Sequence, residues 1–481
     1  MAGLSQQLLR RKPFAQPRGA HDGPELARTL GTFSLMMFGV GATVGTGIFF
    51  VLQEAVPDAG PAVMVSFLVA GVAAGLSALC YAELASSIPV SGSTYSFTYH
   101  SMGELMAMVI AACVLLEYGV AASAVAVGWS GYFNELLNSL FGFQLPDALS
   151  YSPVPYEDDV TGLVNLPAVV LVFLCTILLI RGASESAKVN TIMVLIKLGV
   201  LLLFVVVALT AFRADRFDHF FASGSAGISA AAGTIFFSFI GLDAVSTAGE
   251  EVKDPQRALP RAIMGALVIV VGVYLLVAFA GVGSQPLAEF SSDEQQSAGL
   301  SVILENITGS SIPGTVVAAG AVISIFSVTL VTLYGQTRIL FAMGRDRMLP
   351  DRFASVDSRT MTPTFNTIVV GVVVSLIAGF VPADYLWDTV SIGTLVAFSV
   401  VAISILILRR TQPGLERPFR VPGYPVTPVI TVVACVYVLS GLAAITWVIF
   451  SVWLAIVLAF YFLWGRRHSR LESGDHEGAT R

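Results

Sequence analysis

A lone lysine inside a long apolar run is the first residue of this sequence whose type and position could do chemistry. Lys197 is the only charged residue between Lys188 and Arg213. A charged lysine at the centre of a membrane helix costs roughly 3 kcal/mol, so such residues usually face a protein interior or an aqueous path. The alternative is a lysine that snorkels to the interface, because Lys197 lies about two turns from the predicted cytoplasmic end. We favour a functional position.

A glycine-rich segment is the second such feature. The nine residues from Gly39 to Gly47 contain four glycines and two threonines, and each glycine weakens a helix by up to about 1 kcal/mol relative to alanine. The segment is not a phosphate-binding loop, because it has no Gly-x-Gly-x-x-Gly spacing and no following Gly-Lys-Ser/Thr. Two interpretations stay open: close helix packing through small residues, or local unwinding that exposes backbone groups to a ligand.

A second interrupted run, Thr234–Asp243, carries small polar residues and an acid in the middle of an apolar segment. Two interrupted helices at corresponding places in two five-helix halves are typical of an inverted-repeat transporter. In a membrane, backbone without helical hydrogen bonds is tolerated only where it lines a cavity or is buried by protein. Freed N–H groups at a positive helix end suit a carboxylate, and freed C=O groups suit an ammonium. The pattern therefore favours a zwitterionic α-amino acid as ligand.

The elements that must position these residues are membrane helices. Of the 481 residues, 55% are hydrophobic and 12% are charged, about half the charged share of a soluble domain. Apolar runs of roughly 20 residues, enough to cross a membrane, recur along the whole chain. Twelve runs are predicted to be helices, at 33–52, 61–86, 104–132, 163–181, 189–212, 226–249, 260–284, 313–342, 365–381, 386–408, 427–442 and 445–465.

The distribution of positive charge supports twelve crossings. With both termini inside, the cytoplasmic segments contain 23 of the 26 Lys and Arg residues, and the outer loops contain only Arg213 and Arg216. Positive residues favour the cytoplasmic side. We therefore predict a multi-pass protein of a bacterial-type plasma membrane, with a cytoplasmic arm at 1–30, a twelve-helix domain at 31–466 and a cytoplasmic tail at 467–481.

Several blocks of the sequence resemble one family of transporters. The run Gly41–Phe49 resembles the first-helix signature of amino acid–polyamine–organocation (APC) permeases. Four further blocks look like the cationic amino acid transporter branch of that superfamily, in its bacterial form: Pro89–Tyr95, Phe236–Glu251, Lys253–Arg261 and Tyr334–Arg338. The resemblance covers roughly residues 30–465. It implies an all-α, LeuT-type fold of five plus five inverted helices with two more appended, in which helices 1 and 6 are discontinuous.

The resemblance also implies where an amino acid would bind. The carboxylate site would be the backbone and hydroxyl groups of Thr43, Gly45, Thr46 and Gly47. The ammonium site would be the carbonyl groups of Phe237, Ser238 and Ile240, with the Phe237 ring as a gate. The pocket for the substrate side chain would lie between helices 3, 6 and 8, near residues 324–327.

Three charged residues match positions of the bacterial members. Lys197 matches the fifth-helix lysine that, in proton-coupled members, occupies the place of sodium in sodium-coupled relatives, and a lysine there can alternate between charged and neutral forms. Glu117 and Asp243 match acids of the third and sixth helices. For these two acids the alternative is a structural role, in which they bond backbone groups that the unwound helices leave free.

The sequence therefore predicts secondary transport of cationic or small neutral L-amino acids, by symport with protons. An uncoupled facilitator and an amino acid exchanger remain the alternatives. Enzyme motifs such as His-Glu-x-x-His and Gly-x-Ser-x-Gly do not occur, nor does a filter loop or pore-lining charge ring typical of a channel. We expect no cofactor, metal or nucleic acid. The expected partners are the amino acid, protons and membrane lipid, and a small membrane subunit is left open.

Overall fold

The computed structural model of the chain describes residues 8–14, 26–154, 161–291, 299–440 and 444–471. Most of the predicted arm (residues 1–7 and 15–25) and of the tail (472–481) therefore lies outside the described residues. The described residues are largely helical. The α-helices of nine or more residues are α1 (Thr32–Thr43), α2 (Thr46–Ala59), α3 (Val63–Ser87), α4 (Ser93–Ser101), α5 (Glu104–Phe141), α6 (Leu166–Arg181), α7 (Ala183–Thr210), α8 (Gly224–Phe236), α9 (Pro255–Ser284), α10 (Leu300–Thr308), α11 (Ser311–Arg345), α12 (Thr364–Phe380), α13 (Ala383–Thr411), α14 (Val426–Leu439) and α15 (Ala444–Phe460).

The apolar runs explain most of these helices. Within the described ranges, seven helical stretches are long and apolar enough to cross a membrane, and four shorter apolar helices are α1, α6, α12 and α14. Large apolar side chains such as Phe173, Leu202 and Val433 are exposed on the outer helices, which fits a surface that faces lipid tails. The family assignment below and these helices support a multi-pass membrane protein. The count of twelve crossings and the inverted repeat stay predictions.

Two of the predicted helices are interrupted. The run at 33–52 divides into α1 and α2, with Val44 and Gly45 between them. The run at 226–249 is α-helical only to Phe236; it continues as a 3₁₀ turn, Phe237–Phe239, and then as a short helix, Ala244–Thr247. Both interruptions lie inside the bundle, where α9 packs against α1 and α3, and α11 packs against α5 and α7.

A buried ion pair closes the bundle on one side of these interruptions. Arg338 Nε donates to Glu251 Oε1 at 2.7 Å, and both side chains are 1% exposed or less. The guanidinium also lies 3.8 Å from the centre of the Tyr334 ring. A second pair, Arg345 with Glu250, is partly exposed and lies two turns further along α11. The path from the interruptions to this face is therefore blocked by charged side chains that are paired with one another.

Breaking the buried pair on one side should destabilise the fold. Glu251→Gln or Arg338→Met alone is expected to cost about 3–5 kcal/mol, because each leaves the other charge buried without its partner. The double variant Glu251→Leu/Arg338→Met should recover most of that loss. Thermal unfolding of the purified protein in detergent measures both effects. Arg213→Ala is the control, since its pair with Asp215 is 66% and 58% exposed and such pairs contribute about 0–1 kcal/mol. Equal losses in single and double variants would contradict the argument.

The two described ends of the chain meet on this same face. In the N-terminal segment, the carbonyl oxygen of Arg10 accepts the Glu104 N–H at 2.9 Å, and the Lys12 ammonium pairs with Asp346 at the end of α11. In the C-terminal segment, Ser469 Oγ donates to Glu104 Oε2 at 2.8 Å. Both segments thus contact the start of α5 or the end of α11, which puts them on one face of the bundle.

Candidate functional site

The two interrupted helices touch at their breaks. A Cβ atom built on Gly47 would lie 2.5 Å from Ser238 Oγ and 3.0 Å from Ser238 Cα. Gly241 has φ = +106°, and a Cβ there would lie 2.8 Å from the carbonyl oxygen of Ala42. Contacts under 3.0 Å do not occur for real Cβ atoms, and a positive φ strains L-residues. Glycine at these positions lets the two backbones meet.

Lys197 forms hydrogen bonds with the backbone at the first break. Its Nζ atom donates to the carbonyl oxygens of Gly41 at 2.9 Å and Val44 at 2.6 Å, and contacts Ser327 Oγ at 3.4 Å. The side chain is fully buried, so a snorkelling lysine is excluded. Within the described ranges, no carboxylate pairs with it. The ammonium instead satisfies carbonyl groups that a continuous helix would have bonded to its own N–H groups.

Polar side chains around Lys197 complete this support. Ser324 Oγ donates to Val44 O at 3.0 Å, Ser327 Oγ donates to Asn190 Oδ1 at 2.7 Å, and Asn190 Nδ2 donates to Met37 O at 3.2 Å. The position of the side-chain pocket near residues 324–327 stays a prediction, and Ser324 and Ser327 themselves bond Val44 O and Asn190 Oδ1. These serines face α1 and Lys197, because a free backbone carbonyl is a stronger partner for a hydroxyl than an apolar pocket wall.

Tyr274 of α9 links the two breaks directly. Its hydroxyl oxygen lies 3.0 Å from Thr43 O and 2.9 Å from Ser238 O, and these two carbonyl groups share its single proton. The side chain is fully buried. One phenol thus contacts the last carbonyl group of α1 and a carbonyl group inside the second break, and so links the two breaks.

Removing the Tyr274 hydroxyl should weaken substrate binding without abolishing it. Tyr274→Phe is expected to weaken substrate binding about fivefold, because one hydrogen bond contributes about 1 kcal/mol net. Isothermal titration of the detergent-solubilised protein measures the affinity. Tyr437→Phe is the matched control, since Tyr437 lies on the exposed surface of α14. Unchanged affinity in Tyr274→Phe would show that the spacing of the two breaks does not depend on this bond.

A cavity of about 70 Å³ lies between the two breaks and α5. Seven of the predicted site residues line it: Thr43, Gly45, Gly47, Glu117, Ser238, Ile240 and Asp243. Its other walls are mostly small and apolar, with one tyrosine and one threonine: Ala42, Tyr118, Ala121, Val125, Gly241, Ala244, Val328, Thr332 and Val390. Residues that lie far apart in the sequence therefore form one chamber.

The electrostatics of this chamber follow from the helix ends. The first N–H groups of α2 have no acceptor within their own helix, and the positive end of the α2 dipole lies beside Gly45 and Gly47. The carbonyl groups at the end of α8 supply the opposite polarity. The walls of the chamber therefore include the positive end of one helix and the negative end of another.

Two buried acids face the same chamber. Asp243 Oδ2 accepts the Tyr118 hydroxyl proton at 2.5 Å. Asp243 Oδ1 and Glu117 Oε2 are buried and have no hydrogen-bond partner among the described residues. A buried polar atom without a partner costs free energy, so these two oxygens are positions where a substrate, a proton or water would bind. A structural role and a binding role of the two acids both stay predictions.

Four predicted residues need separate mention. The side chains of Thr46 and Phe237 lie outside the part that the structure describes, so the gating role of the Phe237 ring stays a prediction. The Thr43 hydroxyl donates to Gly39 O at 2.9 Å, and only its lone pairs face the cavity; a carboxylate therefore gains no donor from it. Lys197 does not line the cavity but lies behind its α1 wall.

Sequence reasoning missed Tyr118, Tyr274 and Asn190. A signal existed for Asn190, because it lies seven residues before Lys197 and so on the same helix face. Tyr274 was visible as a lone polar aromatic within the seventh apolar run. Tyr118 was visible in the same way, as a polar aromatic residue directly after Glu117 in the third apolar run.

The sequence of this bundle matches a known family over nearly its whole length. The family model for amino acid permeases matches residues 30–465, which include both breaks, Lys197 and the two acids. The chain belongs to the amino acid permease family. This permease is thus a transporter and not an enzyme, and its family assignment agrees with the resemblance to APC permeases.

Individual relatives carry different substrates in their names. The permease is 42% identical over 97% of its length to the branched-chain amino acid permease BcaP of Bacillus subtilis, of which it covers 100%. It is 40% identical over 96% of its length to the methylthioribose transporter of the same organism, of which it covers 99%. A third relative, the vacuolar cationic amino acid transporter 2 of Arabidopsis thaliana, is 37% identical over 86% of the permease, which covers 65% of that protein.

Proposed function

We propose that this permease is a proton-coupled symporter of neutral, aliphatic L-amino acids. The observation that carries the proposal is the pairing of the chamber with Lys197. A cavity with both backbone polarities would hold the ammonium and the carboxylate of the substrate. A buried lysine then bonds the two carbonyl groups on the other side of the same broken helix, so its charge state and the shape of the chamber are linked.

The walls of the chamber support a short aliphatic side chain. Ala121, Val125, Val328 and Val390 are apolar, and the cavity is small. A branched-chain permease is also among the relatives that match over the full length. A cationic substrate is the second candidate, because the open oxygens of Glu117 and Asp243 would suit a guanidinium or ammonium group. The name of the relative in Arabidopsis agrees with that candidate.

Coupling to protons would make transport concentrative. One elementary charge that crosses 100 mV contributes about 2.3 kcal/mol, which corresponds to about 50-fold accumulation of a neutral substrate carried with one proton. An uncoupled facilitator or exchanger, in which Lys197 is a fixed cation, would reach no such ratio.

The proposed location is a bacterial-type plasma membrane with both termini in the cytoplasm. The positive charge of the face where the described ends meet supports that orientation. Membrane lipid surrounds the helices, and a small membrane subunit is a further candidate partner.

Uptake into proteoliposomes tests the proposal. Purified permease would be reconstituted, and radiolabelled leucine, alanine and arginine uptake followed with and without an inward proton gradient and an inside-negative potential. We expect leucine and alanine to accumulate above their outside concentration only with the gradient. Unlabelled arginine should compete at least about tenfold more weakly than leucine. Methylthioribose is included as a competitor, because one relative bears that name.

Each other outcome contradicts a defined part of the proposal. Uptake that no gradient drives, together with counterflow driven by internal substrate, would leave a facilitator or exchanger. Arginine as the strongest competitor would replace the aliphatic substrate by a cationic one. Competition by methylthioribose alone would overturn the amino acid itself. Liposomes without protein provide the background for all arms.

A further inference from the structure

A second, much smaller cavity lies on the other side of the unwound segment from the substrate chamber. Its volume is about 10 Å³, and its polar walls are Asp243 and Tyr81, with Phe239 and Phe398 among its apolar walls. A space of this size holds about one water molecule if polar groups surround it. Asp243 is the one residue that lines both cavities.

The polar groups in this small cavity are suited to hold a water. Asp243 Oδ1 is buried and has no partner among the described residues, while Oδ2 is occupied by Tyr118. The Tyr81 hydroxyl is buried as well and shares a hydrogen bond of 2.7 Å with Thr94 Oγ1. Either hydroxyl can donate in that bond. When Tyr81 donates to Thr94, the lone pairs of the Tyr81 oxygen can accept from a water in the cavity, and that water can accept the proton of a protonated Asp243.

The hydrogen-bonded hydroxyl groups of Tyr81 and Thr94 extend away from the substrate chamber. Thr94 belongs to the short helix α4, which lies on the face where the chain ends meet. The N–H group of Ser91, just before α4, bonds Glu250 Oε1 at 2.9 Å, and the carboxylate of Glu250 is partly exposed. Thr94 is itself fully buried, so water, Tyr81 and Thr94 lead from a buried acid of the chamber as far as α4, while the Glu251–Arg338 pair closes the direct path.

We propose that the small cavity is a water site and that this water, Tyr81 and Thr94 form the route by which Asp243 exchanges protons with the cytoplasmic side. In one transfer, the protonated Asp243 gives its proton to the water, and the water passes one to the Tyr81 oxygen. Tyr81 then passes its own proton to Thr94, and Thr94 gives its proton to bulk water that reaches α4 when this face of the bundle opens. Each hydroxyl gains and loses one proton, so the net change is an Asp243 carboxylate and one hydronium ion in the water on that side. This inference rests on the proposed proton symport.

Two variants test the route. Tyr81→Phe removes the hydroxyl and keeps the ring, and Ala78→Val fills the small cavity while keeping the hydroxyl, since Ala78 is another of its walls. Proteoliposomes loaded with a pH-sensitive dye report leucine-driven acidification of the lumen, and leucine counterflow reports exchange without net proton movement. We expect both variants to lower acidification at least about tenfold and to keep counterflow within about twofold of the wild type. Tyr95→Phe is the control, because Tyr95 is equally buried, but its hydroxyl donates to Asp346 at 3.1 Å and it does not line this cavity.

The outcomes separate the inference from the function on which it rests. If the wild type does not acidify the lumen, the proposed symport is wrong and the route falls with it. If the wild type acidifies and Tyr81→Phe does so equally, the route alone is wrong. If Tyr81→Phe loses acidification but Ala78→Val keeps it, the hydroxyl matters and the water site is overturned. Loss of counterflow together with acidification in both variants would reduce Tyr81 and the cavity to packing.

Discussion

Lys197→Ala should abolish accumulation of substrate against its gradient. In proteoliposomes at an inside-negative potential of 100 mV, the ratio of inside to outside substrate is expected to fall from about 50-fold to about onefold. Without the ammonium, the carbonyl group of Gly41 loses its buried partner, which costs about 1–3 kcal/mol, whereas Val44 O keeps the hydrogen bond from Ser324. The first break then loses the group that would link its geometry to a charge.

A counterflow assay distinguishes the loss of proton coupling from the loss of the binding site. Lys188→Ala is the matched control, because Lys188 lies on the same helix and its side chain is exposed. We expect Lys188→Ala to behave as the wild type and Lys197→Ala to retain counterflow driven by internal substrate. A Lys197→Ala protein that still accumulates substrate would remove the lysine from the coupling path. Loss of counterflow as well, in a protein that still elutes as a single species, would make Lys197 a structural cation.

Gly47→Ala should close the substrate chamber. The added Cβ would lie 2.5 Å from Ser238 Oγ and 3.0 Å from its backbone Cα, so the two broken helices must separate. Overpacking of this kind typically costs about 2–3 kcal/mol, and we expect substrate affinity to fall about 30- to 100-fold. Titration calorimetry in detergent measures this loss.

Two further variants isolate the steric reason. Gly233→Ala is the control, because a Cβ on Gly233 of α8 meets no atom within 4 Å; it should leave affinity unchanged. The double variant Gly47→Ala/Ser238→Gly removes two of the three atoms that the new methyl group would meet, so part of the affinity should return. No recovery in the double variant would mean that Gly47 is needed for its backbone conformation instead of for space.

The sequence predicted the helices well because their cause is local. Apolar runs end at charged or helix-breaking residues, and the run predicted at 260–284 lies within α9, Pro255–Ser284, which starts one turn earlier. The first break was also visible locally, since the glycines between Gly39 and Gly47 weaken a helix without any tertiary contact. Lys197 stood out because a charge in an apolar run has to be satisfied from elsewhere in the fold.

The sequence could not predict how each helix is rotated about its axis or which side chains meet across the bundle. The side-chain pocket was expected near residues 324–327, but small polar residues do not reveal which face of α11 points to which neighbour. The walls that α11 gives the chamber are Val328 and Thr332, which begin one residue further on. Tyr274 acquires its role only when α9 brings it between two carbonyl groups from helices that are separate in the chain. Such contacts depend on tertiary geometry, which no local pattern encodes.

Because of their contacts, the two described end segments can report motion of the face that the Glu251–Arg338 pair closes. Because Lys12 reaches Asp346 and Ser469 reaches Glu104, any opening of that face has to separate the ends or carry them along. A fluorescence donor on Leu9→Cys and an acceptor on Leu471→Cys would therefore change their energy transfer during each turnover.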